Sequence, residues 1–68
     1  MPNALAIKEK MREKNYTQAT LAEKMGIATP TLSQKINGIR PMMLDEAERM
    51  AKLLEIPDDS FGVYFFAQ

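Results

Sequence analysis

The sequence predicts an all-α fold, a small bundle of five helical elements in one domain over residues 1–68. Three observations predict it. Apolar residues recur at spacings of three and four, as in Ala4, Ile7 and Met11 or Leu44, Ala47, Ala51 and Leu54. Residue types that start and stop helices stand between these stripes. The stretch Thr17–Gly38 reads as two short helices joined by a tight turn at Gly26, a residue free to adopt positive φ.

The first helix is expected over about Ala4 to Lys14, with Asn3 as N-cap, Leu5 widening its apolar face and Asn15 as its stop. Tyr16 then precedes the next cap and suits a hydrophobic staple. The second helix starts from Thr17 and ends near Met25. Thr20 stands where Glu or Gln would complete a capping box, so the reciprocal half of the box is expected to be missing. Leu21, Ala22 and Met25 mark its inner face, and small Ala22 permits a close crossing. The third helix is expected to open at Pro30, with Thr29 as first choice of cap and Ala28 as second, and to end before Gly38. Leu32 and Ile36 face inward. The fourth helix covers roughly Met43 to Glu55, its stripe widened by Met50 and Leu53. Ile56-Pro57-Asp58-Asp59 opens a further short turn, because proline suits a first helical position and aspartate the positive end of the dipole.

Composition narrows the function classes. The chain has neither Cys nor His, which removes thiolate chemistry, the commonest metal ligand and the commonest general base. Asp45-Glu46 and Asp58-Asp59 are explained by helix starts, and Ser33 and Ser60 have no evident base. No Gly-rich phosphate loop or metal-ligand spacing occurs, so the chain is read as a non-enzyme with no cofactor and no metal. No window approaches the ~20 apolar residues of a membrane span. The N-terminal residues lack a signal-peptide layout, and a cytoplasmic location is expected.

Net charge is zero, but its distribution is uneven. Residues 1–40 carry seven basic side chains against three acidic, and residues 41–68 carry two against six. One half of the molecule therefore suits a polyanion. Two short helices with an exposed polar second member also match the DNA major groove, about 12 Å wide. On that second helix Thr29, Thr31, Ser33, Gln34, Lys35 and Asn37 are polar. Glutamine can pair with adenine, hydroxyls can bond several base edges, and lysine or arginine binds phosphate.

Tyr16-Thr17-Gln18, Leu21-Ala22, Gly26-Ile27, Thr31-Leu32-Ser33 and Asn37-Gly38, in this order, carry a resemblance. The chain resembles the Cro/phage-repressor type of helix-turn-helix DNA-binding domain, the xenobiotic-response-element family, with the helix-turn-helix at about 17–38. The resemblance covers nearly the whole chain. It implies a double-stranded DNA-binding transcriptional regulator, a prophage-type repressor, that inserts its third helix (about 30–37) into the major groove. It implies base readout by Ala28, Thr29, Pro30 and Gln34. It places Gln18, Thr31, Ser33, Lys35, Asn37 and Arg40 on the sugar-phosphate backbone or flanking bases. Ala28 replaces the family's usual hydroxyl, and Pro30 brings no donor to a base-facing position, which makes low or A·T-leaning specificity the expectation. Met43 stands where a hydroxyl cap is frequent.

Two questions stay open at this level. Val63-Tyr64-Phe65-Phe66 is a strand-prone apolar run, read either as a cover for the core or as a homodimer interface. The alternative function is a protein-interaction module on the same scaffold, an antirepressor or antitoxin-like partner. No small-molecule effector is expected.

Overall fold

The computed structural model describes residues 1–66. The chain forms α1 (Ala4–Glu13), α2 (Gln18–Met25), α3 (Thr29–Ile36), α4 (Leu44–Leu53), a 3₁₀ turn (Asp58–Ser60) and α5 (Phe61–Phe65). The all-α class and the predicted order are as expected.

One device ends the first four helices. Asn15, Gly26, Gly38 and Glu55 adopt φ of 63°, 72°, 76° and 58°. After each, the next N–H reaches back to a carbonyl five residues earlier. Tyr16 donates to Met11, Ile27 to Ala22, Ile39 to Gln34 and Ile56 to Ala51, at 2.8–3.1 Å. These bonds satisfy carbonyls that the helix leaves open and reverse the chain over a few residues. Asn15 and Gly26 were legible as stops. Glu55 was not, because a glutamate in the left-handed region runs against its own preference.

Helix starts agree less uniformly. Asn3 Oδ1 accepts the Ala6 N–H at 3.1 Å, as expected. At α2 the box is complete after all. The Thr17 N–H donates to Thr20 Oγ1 at 2.9 Å, and the Thr20 N–H donates to Thr17 Oγ1 at 3.0 Å. The Thr20 hydroxyl is close enough to take the place of a longer carboxylate. At α3 the cap is Ala28, not Thr29, which is the first helical residue. Proline therefore sits one position deeper, where it still lacks a helical acceptor to lose. At α4 the Met43 N–H donates to Glu46 Oε1 at 2.8 Å, so the reciprocal half of a box survives without a capping hydroxyl.

The core is apolar throughout. Ile7, Leu21, Leu32, Ile36, Met50 and Leu54 are fully buried, with Ala22, Ala47 and Ala51 packed among them, and no described polar side chain is buried. Two expected core residues are not in it. Leu5 and Leu44 are exposed. Each lies in the first turn of its helix at the margin of the stripe, where no other element covers it. The aromatic tail is helical rather than extended. Asn3 N–H donates to the Tyr64 carbonyl at 2.8 Å and so ties α5 to the start of α1.

Candidate nucleic-acid interface

Leu32 and Ile36, four apart on α3, anchor that helix to the core and fix its rotation. Ala28, Thr29 and Pro30 are thereby exposed at its start, and Thr31, Ser33, Gln34 and Lys35 are half-buried along its flanks. Asn37 and Arg40 are exposed at its end. Gln18 is half-buried at the first position of α2.

Two helix starts supply fixed positive potential. Neither α2 nor α3 has an acidic residue in its first turn, whereas α4 has Asp45 and Glu46. Ala28 offers no capping oxygen, so the N–H groups of Thr29 and Thr31 have no helical partner, and Pro30 has none to offer. At α2 the cap engages Thr20 and leaves the amides of Gln18 and Ala19 at the mouth of the helix. Both ends favour anions by the same dipole argument.

The basic residues are distributed differently from expectation. Lys35, read as a phosphate or flanking contact, is held by α4. Its Nζ donates to Glu46 Oε1 at 2.7 Å and to Oε2 at 2.6 Å, and its side chain is only 12% exposed. The rotation that buries Ile36 turns the neighbouring Lys35 toward the start of α4. The Glu46 carboxyl is held below its ordinary pKa, first by the Lys35 hydrogen bonds and then by the Met43 N–H, against partial burial. Lys14 donates to Glu55 Oε1 at 3.2 Å, so a second cation of the basic half is tied to the acidic half. Arg49 Nη2 donates to the Lys24 carbonyl at 2.9 Å, joining α4 to the end of α2.

Other side chains form a connected polar edge. Asn37 Nδ2 donates to the Ser33 carbonyl at 2.9 Å, and Asn37 Oδ1 accepts from Lys8 Nζ at 3.2 Å. Lys8 thus joins the end of α3 from a position 29 residues earlier. Its basic charge was visible in the sequence, but its place beside Asn37 was not. Arg40 Nε donates to Gln34 Oε1 at 3.0 Å.

The tail divides. Phe65 is buried against the core and, as a correction to its reading as an interface residue, faces inward. Phe61 stacks on it, tilted, with centroids 4.8 Å apart. Tyr64 is half-buried, while Val63 and Phe66 are exposed. The reason is helical: four-residue spacing sends Phe61 and Phe65 to one side and leaves Val63 and Phe66 off it. Phe66 helps line a groove of about 280 Å³ with Met1, Met42 and Leu44.

Among the described residues there is no cluster of acidic side chains placed to hold a metal. No helix of the described residues is long and apolar enough to cross a membrane. A helix-turn-helix family model matches residues 7–61. No curated protein and no solved structure matches the chain.

Proposed function

The chain belongs to the Cro/C1-type helix-turn-helix family of DNA-binding transcription regulators, and from that premise we propose that it is a prophage-type repressor that inserts α3 into the DNA major groove. Residues 1–68 act as one binding unit. Ala28, Thr29, Pro30 and Gln34 lie against base edges. Gln18, Thr31, Ser33, Asn37 and Arg40 hold the backbone, joined by Lys8. The observation that carries this reading is the exposed start of α3, uncapped and without a carboxylate in its first turn, beside the polar edge from Gln34 to Arg40. A polyanion meets amide and cationic donors there. Ala28 and Pro30 add shape and methyl contact but no hydrogen bonds, so specificity rests on few side chains.

Binding to a random duplex at increasing salt tests the reading. Neutralising several phosphates makes affinity fall by about tenfold or more between 50 and 200 mM salt. A chain that binds no duplex at low salt is not a repressor of this kind.

A homodimer completes the reading. Val63 and Phe66 are exposed and sit beside half-buried Tyr64, a small apolar surface suited to pairing two copies. Paired units would read half-sites about one helical turn of DNA apart. The second reading, a protein-interaction module, is favoured by one observation. The groove lined by Met1, Leu44 and Phe66 presents apolar surface on a chain of zero net charge. Loss of duplex binding with retained binding to a protein partner would select it.

A further inference from the structure

Gln34 is contacted twice by Arg40. The Arg40 N–H donates to the Gln34 carbonyl at 3.2 Å, alongside the Ile39 N–H at 2.9 Å. Arg40 Nε donates to Gln34 Oε1 at 3.0 Å. Gly38, at φ 76°, folds the loop back so that both contacts form. A guanidinium has donors and no acceptor. The amide atom that faces it must be the oxygen, since a flipped amide would set N–H against N–H. Arg40 therefore determines which way the Gln34 amide points, and the two Nε2–H bonds remain for a ligand.

We propose that Gln34 and Arg40 form a guanine-reading unit, an inference that rests on α3 being the groove helix. Arg40 is the positioning residue and Gln34 the reader. Guanine presents two acceptors in the major groove, N7 and O6, which match an amide that offers only donors. Adenine needs the opposite arrangement at one atom. Its N6 amino group must donate to the glutamine oxygen while N7 accepts from the amide nitrogen. Oε1 turned toward Arg40 is withdrawn from that role. The pairing of glutamine with adenine is thus reversed at this position. With Ala28 and Pro30 bringing no donors, Gln34 carries a large share of the base discrimination.

Selection of bound duplexes from a randomised pool, with the wild-type chain, Gln34→Ala and Arg40→Ala, tests the assignment. The base pair whose preference disappears in Gln34→Ala is the one that Gln34 reads. The wild-type chain should prefer guanine there by about fivefold or more. Arg40→Ala frees the amide, so the guanine-to-adenine ratio at that position should fall by about fivefold while other positions keep their preferences. Preference for any other base at that position overturns the proposal. So does an Arg40→Ala variant that binds all sequences more weakly by one factor, as a pure phosphate ligand would. If the wild-type chain retains no duplex at low salt, the DNA-binding reading falls and this role with it. Retained duplex with no position assigned to Gln34 overturns the guanine role alone.

Discussion

Lys35 and Glu46 join α3 to the start of α4 through two short hydrogen bonds from one ammonium to both carboxylate oxygens. Glu46 accepts a third, from the Met43 N–H, so one carboxylate both caps a helix and tethers its neighbour. Lys35→Ala should lower stability by about 1–2 kcal/mol, since charge-assisted bonds are worth more than neutral ones but this pair is partly solvated. Its effect on DNA should differ from that of a phosphate ligand. Measured well below the unfolding midpoint, the slope of log K against log salt should stay unchanged, whereas removal of one phosphate contact would reduce it by about 0.9.

Acid should unpick the same contact. The Glu46 pKa is lowered in the folded chain by Lys35 and Met43. A depressed carboxyl contributes stability that is present above its unfolded pKa and is lost as pH falls through the folded value. Urea midpoints should therefore drop below the ordinary carboxylate range. Glu46→Gln should be less stable than the wild-type chain near neutrality, and the gap should narrow on acidification. A constant gap from neutral pH to strong acid would place the stabilisation elsewhere.

Helix stops at Gly26 and Glu55 should respond in opposite directions. Both are left-handed, at φ 72° and 58°. A methyl group at Gly26 meets no neighbour, so the cost of Gly26→Ala is conformational, about 1 kcal/mol. Glu55→Gly relieves a strained residue and loses only an exposed ion pair to Lys14, which is 3.2 Å away. Thermal unfolding should show a lower midpoint for the first variant and an equal or higher one for the second.

Neighbouring phenylalanines in the tail should separate folding from association. Phe65→Ala removes a buried ring and should cost about 3–4 kcal/mol, a large part of what so small a domain possesses. Phe66→Ser, at an exposed ring, should leave the unfolding midpoint of the dilute chain within a few degrees of wild type. A dilution series of mass by light scattering should show weaker self-association for Phe66→Ser. If Phe66→Ser leaves the dilution curve unchanged, the tail serves the core only.

Much of the fold was legible because it is local. The stripe Ile7–Met11 and the pair Leu32–Ile36 announce buried faces by spacing alone, and Asn3, Thr17, Asn15 and Gly26 act on backbone within a few residues of themselves. Illegible positions follow a pattern as well. Leu5 and Leu44 are apolar and correctly spaced yet exposed, because the first turn of a helix is covered only if another element happens to lie there. Thr20 completes a box through a hydroxyl that no acidic signature announces.

For the candidate site the division is sharper. Residue types along α3, its inward pair and the poverty of donors at Ala28 and Pro30 were determined by the sequence itself, since they depend on helix periodicity and side-chain chemistry. What each polar group binds was decided only by tertiary structure. Lys35 meets Glu46 rather than solvent, and Lys8 reaches Asn37 across 29 residues. The physical reason is that periodicity sets which face of a helix is buried, whereas the partner on the remaining faces depends on how separate helices are rotated and placed against one another. The Leu32–Ile36 pair sets the rotation of α3 and with it the side on which Lys35 emerges, but no local pattern in the chain places Glu46 of α4 there to meet it.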